Sequence, residues 1–365
     1  MKIGVITINS VNYGNRLQNY AVNALLHRLN ATTENIYIDG YSVYTRNGIK
    51  RMIKKFVPLS ILRKFRKKNN INPLEARKQK IFDVFSDKYM SNQWIKPNYE
   101  GDIKRKLLKQ KFDFYVTGSD QVWNPDFAGG DYYFLNFAEP KQKIAISASI
   151  GYDSLPEDVC QKYKEHWNNM RYISVREESA ADIIEKESGT RPDVFLDPTM
   201  MLNRQEWEQI VTEPKFKVPK KYVVCLFLGD VPVTLRAVCE ETLGLEVVSL
   251  NDKNYPEYYL ADPSEFISLI KNAELVLTDS FHCTVFSIIF RRKFWIFKRQ
   301  EANVKNMFTR LESLLSKLNL MDRICECERE IHLCEIGDER FDEVERIISK
   351  ERIRVERIIG EIINE

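Results

Sequence analysis

His282, in the run Thr278-Asp279-Ser280-Phe281-His282, is the side chain of this sequence whose type and setting best suit proton transfer. The apolar stretch Leu275-Val276-Leu277 precedes the run, and an apolar helix-like stretch continues to Phe290. A strand handing over to a helix sets His282 in the first helical turn. There, amide donors, Asp279 and a low-dielectric wall would tune an imidazole as acid or base. Three other strand ends carry polar clusters. After strand 2-8 comes Asn12-Tyr13-Gly14-Asn15-Arg16-Leu17-Gln18, which suits a phosphate or polar ligand at a helix start, or an ordinary capped turn. Strand 112-117 ends in Gly118-Ser119-Asp120-Gln121-Val122-Trp123-Asn124-Pro125. Asp120 and Gln121 there would bond sugar hydroxyls while Trp123 stacks on a ring; the alternative is a capped turn with Trp123 in the core. Strand 172-175 leads into Arg176-Glu177-Glu178-Ser179. A cation at a helix N-terminus opposes the helix dipole, so Arg176 calls for an anion, either a ligand or a nearby carboxylate.

These clusters share a position, the carboxyl end of a strand, which is where open α/β sheets bind ligands. Apolar strand-like runs alternate with amphipathic stretches nearly throughout, the pattern of largely parallel α/β sheets. Candidate strands are 2-8, 35-38, 112-117, 143-149, 172-175, 193-196, 222-228, 246-250, 275-278 and 294-298. That is too many for one small sheet, and a chain of 365 residues exceeds the size at which a single core splits. The prolyl, polar stretch from Asp197 to Pro219 marks a boundary, giving domains 1-205 and 206-337. From Gly337 onward the chain reads as one helix, 338-365, whose apolar face needs a partner and would find it on the first domain.

The net charge of +3, from 55 basic and 52 acidic residues, gives no global field for nucleic acid. No apolar run approaches the roughly 18 to 20 residues that cross a bilayer. Seven scattered cysteines and an opening without a signal-peptide pattern fit free thiols in a reducing cytoplasm. Cys325, Cys327, His332 and Cys334 lie close together, but their spacing matches no common zinc framework, and no metal is expected. Residues 50-68 hold nine Lys and Arg, among them Lys54, Lys55, Arg63 and Lys64, and no acid, around an apolar stripe. The segment suits either packing on the domain or contact with an anionic membrane surface, the latter placing the protein at the inner face of the cell membrane.

Taken in order, several blocks resemble the polysaccharide pyruvyl transferase family: Asn12 to Tyr20, Val116 to Pro125, Ser174-Val175-Arg176-Glu177, Leu196-Asp197-Pro198-Thr199 and Thr278 to His282. The resemblance implies two Rossmann-like domains facing a cleft, as in the B-type glycosyltransferases. The first domain would be the acceptor side and the second the donor side. It implies transfer of a pyruvyl group from phosphoenolpyruvate to a sugar, forming a cyclic ketal in exopolysaccharide or capsule synthesis, without metal or redox cofactor. His282 would be the general acid. Arg176 would clamp the donor's phosphate or carboxylate, with Ser280, Lys298 and Arg310 on the donor side and Asn15, Asp120, Gln121 and Trp123 on the acceptor side.

Two departures stand out. The family often carries Arg-Leu-His-Gly where this chain has Ser280-Phe281-His282-Cys283, so one cation is absent and a thiol replaces glycine. Lys298, Arg299 and Arg310 are the downstream candidates for the second positive charge. The competing readings are a glycosyltransferase using a nucleotide sugar and a non-catalytic carbohydrate-binding relative. Against the first stands the lack of a glycine-rich loop after strand 222-228 beyond Leu228-Gly229-Asp230; for the second stands Ser280.

Overall fold

A computed structural model of the protein describes residues 1–38, 72–95, 105–107, 109, 111–126, 130–299, 308–326, 331–332 and 336–365. The basic stretch 50-68, Cys327 and Cys334 lie outside the described residues. In the first domain β1 (Lys2–Ile6), α1 (Tyr13–Arg28), β2 (Thr32–Ile38), α2 (Pro73–Tyr89), β3 (Asn92–Ile95) and β4 (Phe114–Gly118) are followed by β5 (Lys143–Ala148), α3 (Glu157–Asn168), β6 (Tyr172–Val175), α4 (Glu178–Ser188) and β7 (Asp193–Val194). The second contains β8 (Tyr222–Leu226), β9 (Glu246–Ser249), α5 (Pro263–Asn272), β10 (Leu275–Thr278), α6 (Phe281–Ile289), β11 (Phe294–Phe297), α7 (Thr309–Lys317) and β12 (Ile324–Cys325). A final helix, α8 (Asp338–Asn364), closes the chain.

Both sheets are parallel throughout, in the orders β3-β2-β1-β4-β5-β6-β7 and β12-β11-β10-β8-β9. Strand order reverses between β1 and β4 in the first and between β8 and β10 in the second. At such a reversal the following connections leave to opposite faces, and a crevice opens beyond the strand ends. The loops at the two crevices are those of Asn12 to Arg16 and Gly118 to Gln121, and of Leu228-Gly229 and Asp279 to His282.

Each of the ten expected runs contains a strand. The two that sequence reading passed over, β3 and β12, are the outer edges of their sheets. The burial of a strand such as β8, complete along its length, goes with the continuous apolar run Tyr222 to Leu226, whereas β3 is buried only at Ile95 and β12 has two residues.

Packing joins the two domains through α1. Asn12 caps this helix, accepting from the amides of Gly14 at 2.8 Å and Asn15 at 3.4 Å. The next residue, Tyr13, stacks on Phe266 of α5 at 4.4 Å between centroids and donates its hydroxyl to the Ala261 carbonyl at 3.0 Å. Trp207 packs edge-on against Phe286 of α6 at 4.8 Å, and one apolar cluster runs unbroken from β1 and α1 through α5 and α6. The sheets are therefore held at a fixed angle on one side of the cleft.

The helix α8 buries Phe341, Val344, Ile348, Val355, Ile359 and Ile363, while Ile353, although apolar, is exposed on its far side. Its arginines tie it to the first domain: Arg352 donates to the carbonyls of Met200 and Leu202, and Arg354 to that of Val194. Arg28 pairs with Glu356, and Arg171 reaches the carbonyl of Ile362. Among the described residues no helix is long and apolar enough to cross a membrane.

Candidate functional site

The two crevices meet at His282. A Cβ placed on Gly14 would stand 2.0 Å from His282 Nδ1, so the imidazole of the second domain lies directly on the first turn of α1. Only glycine allows this approach. Nε2 is buried, has no hydrogen-bond partner, and sits 3.6 Å from Asp197 Oδ2, an electrostatic contact longer than a hydrogen bond. Burial by itself would raise the Asp197 carboxyl. His282, Arg176 and the Thr199 hydroxyl outweigh burial and hold it far below the usual carboxylate range. An ionised Asp197 is thus placed to stabilise positive charge on the ring.

Around Asp197 the first domain builds a dense polar network. Arg176 Nη1 donates to Asp197 Oδ2 at 2.7 Å, Ser119 Oγ at 3.2 Å, and Thr199 supplies its amide and hydroxyl to Oδ1 at 2.9 and 2.6 Å. Arg176 lies 3.5 Å from Asp120 Oδ1 and 4.7 Å above the Phe281 ring. Burial works against its charge, and Asp197, Asp120 and Glu177 more than offset this, raising its pKa. Its Nε and Nη2 are buried without hydrogen bonds, as is Arg310 Nε. Such orphaned donors cost stability unless a ligand or water meets them.

Asp120 is held by unusual backbone. Gly118 has φ +134°, and a Cβ there would lie 2.0 Å from the Ile146 carbonyl oxygen. Asp120 itself has φ 60°, strain retained because its carbonyl accepts from Val122 and Ser149. Its carboxylate accepts from Asn15 and lies 3.7 Å from Arg310 Nη1. With its amide turned to satisfy both neighbours, Gln121 accepts from Arg310 Nη2 at 2.7 Å. Burial and the adjacent Arg176 charge bring Arg310 down to about 10.

The structure brings together His282, Arg176, Arg310, Asn15, Asp120 and Gln121, so the residues assigned to separate donor and acceptor sides form one network. Ser280 occupies the N-cap position of α6 and lines the adjoining cleft, but neither its side chain nor another caps the helix's first amides. Asp279 is a brace: it accepts from the amides of Leu228 and Gly229 and from Arg299 Nε, locking the two second-domain loops together.

Two expectations are corrected. Trp123 is completely buried, stacked on Phe134 at 5.2 Å with its indole N–H bonded to the Tyr133 carbonyl, so no sugar reaches it. Lys298 stands on the surface, where water and Glu326 at 3.4 Å solvate and pair its ammonium, while its neighbour Arg299 turns inward to Asp279. The substituted Cys283 is likewise buried in the apolar cluster, its thiol pushed up to about 12 by burial, and does not line the cleft.

Three site residues escaped the individual assignments. Asp197 had a signal, its place in the Leu-Asp-Pro-Thr block. Glu177 adjoins Arg176 and accepts from Ser149, Ile150 and Gly151 through Oε1, leaving Oε2 without a hydrogen bond. Lys78 had none. It emerges from α2 into a cleft that it lines with Asn12, Gly14, Asn251, Ser280 and His282.

The fold is thus that of a two-domain α/β protein with parallel sheets, carrying a buried histidine, aspartate and arginine network where the two crevices meet. The chain matches the polysaccharide pyruvyl transferase family over residues 12–301 and belongs to it. None of the curated proteins matches it in sequence. Among solved structures, it is similar to a putative UDP-N-acetylglucosamine 2-epimerase from Listeria monocytogenes, with 12% identity, TM-score 0.47, and coverage of 95% of this chain and 91% of that one. It is also similar to the UDP-GlcNAc 2-epimerase of Methanocaldococcus jannaschii, with 14% identity, TM-score 0.45 and coverage of 98% and 99%. For the ADP-heptose lps heptosyltransferase II of E. coli the values are 10%, 0.40, 96% and 99%.

Proposed function

We propose that this protein transfers a pyruvyl group from phosphoenolpyruvate to a sugar of a polysaccharide or its lipid-linked precursor, closing a cyclic ketal. The observation that carries the reading is His282 Nε2, buried and without a hydrogen bond beside the ionised Asp197, with Arg176 and Arg310 over the adjacent Phe281 ring.

The chemistry needs a proton at the methylene carbon of the enol phosphate. His282 gives it, and the C2 carbon becomes oxocarbenium-like; Asp197 balances the charge that the ring carries before the transfer. A sugar hydroxyl adds to C2, and its proton replaces the one given. The C2–O bond to phosphate then breaks as a second hydroxyl closes the ring, its proton passing to solvent or the departing phosphate. The orphaned donors of Arg176 and Arg310 suit the oxygens of the donor's phosphate and carboxylate, and Arg310 stands in for the arginine missing from the motif.

Phosphate release from phosphoenolpyruvate, measured with a broad panel of free and lipid-linked glycosides, tests this. His282→Ala should lower the rate about 10²- to 10⁴-fold. Release that survives the substitution removes His282 as the acid. Wild-type protein that releases no phosphate with any acceptor sinks the pyruvyl-transfer reading.

A further inference from the structure

Lys78 lines the same cleft as His282. It is 4% exposed, so its ammonium cannot be solvated as a surface lysine is. Among the described residues it has no carboxylate or hydrogen-bond partner; its neighbours are aromatic faces. Its Nζ lies 3.9 Å from the centroid of Tyr259, 5.1 Å from Tyr13 and 5.7 Å from Phe82. Tyr13 and Phe82 belong to the first domain and Tyr259 to the second, so the two domains together form the box. The cleft is also lined by Ser280, the N-cap residue of α6, whose first amides lack a side-chain cap.

We infer that the Lys78 amine is the cation of a phosphate subsite, in the cleft it shares with His282 and Ser280, which takes a phosphate group of a substrate. Aromatic faces stabilise an ammonium without neutralising it, and they leave its N–H donors available to an incoming oxyanion. A carboxylate in their place would have closed the site. Burial, reinforced by Lys253, brings the amine down to about 7, so near neutral pH it is part-neutral, and an anion beside it would favour the charged form. Binding should therefore take up protons. The other groups near the amine are the Lys253–Glu75 pair, Tyr13, Tyr259, the His282 ring, and Asp262 and Glu265 behind Tyr13. The inference rests on the proposed function only in the choice of phosphoenolpyruvate as one probe.

Calorimetric titration of the full-length protein tests it, using sulfate, which does not itself titrate near neutrality, phosphoenolpyruvate, and UDP-N-acetylglucosamine. Each probe is run between pH 7 and 8.5 in two buffers of different ionisation enthalpy. Wild type should bind sulfate more tightly at the lower pH with proton uptake. Lys78→Met should weaken binding of the relevant phosphate compound about 10- to 100-fold and lose that uptake. Selective weakening of phosphoenolpyruvate assigns the subsite to the donor; selective weakening of UDP-N-acetylglucosamine assigns it to a diphosphate. Sulfate binding that depends on Lys78 while phosphoenolpyruvate does not bind at all upholds the subsite and sinks the pyruvyl donor. Unchanged affinity for all three probes in Lys78→Met overturns the inference. Should that variant fail to fold, wild-type sulfate binding without proton uptake overturns it equally.

Discussion

Arg176 and Lys78 are both basic side chains taken out of water, and the protein treats them in opposite ways. Arg176 is surrounded by Asp197, Asp120 and Glu177, whereas Lys78 is given three aromatic rings and no acid among the described residues. An arginine cannot escape burial by losing its proton, so burying it obliges the fold to bury carboxylates too. A lysine can, and burial without a counter-ion makes it titratable near neutral pH. One side of the site is thus a fixed electrostatic frame; the other responds to what enters.

The contrast predicts where substitution will hurt. Arg176→Met leaves Asp197 buried with one cation fewer, and should destabilise the fold by about 3–5 kcal/mol. The denaturant midpoint followed by tryptophan fluorescence measures this, and a loss below about 1 kcal/mol would remove Arg176 as the centre of the frame. Combining it with Asp197→Asn should recover part of the loss, since the stranded charge is then gone.

Lys78→Met should act in the opposite direction and with pH. Below pH 7 the wild-type lysine is charged in both states, and the folded state bears the full cost of burial. Between about 7 and 10.5 the unfolded chain keeps a proton that the folded protein has released, so wild-type stability rises with pH. The variant should therefore be more stable than wild type at pH 6, with a margin that shrinks towards pH 9. A margin independent of pH would mean that the lysine is solvated. Smallest of all is Lys298→Ala, expected to change stability by less than about 0.5 kcal/mol and to leave phosphate release intact. A clear loss of release would return Lys298 to the site.

The periodicity of the sequence was enough to locate the strands with buried faces and the long terminal helix, because those signals depend on a residue's own neighbours along the chain. Edge strands β3 and β12 lacked that signal, being short or half-exposed. The polar blocks at strand ends were also legible, and with them His282, Arg176 and Asp120. Their partners were not. Trp123 reads equally as a stacking platform or a core residue until Phe134 and Trp167 are seen against it. Lys78 lies within Ala76-Arg77-Lys78-Gln79-Lys80, which reads as a solvated helix face; Tyr13, Phe82 and, from the other domain, Tyr259 enclose it only in the fold.

What the sequence by itself determined is therefore the strands with buried faces, their alternation with helices, and the strand ends that carry the polar blocks. The tertiary structure alone decided that Arg310 and not Lys298 joins Arg176, that Asp197 faces His282, and that Lys78 lines the cleft with His282. Each of these meetings spans the two crevices or the two domains. They depend on the angle fixed when α1 packs on α5 and α6, and that packing is a property of two complementary surfaces, not of any segment that a local pattern can reveal.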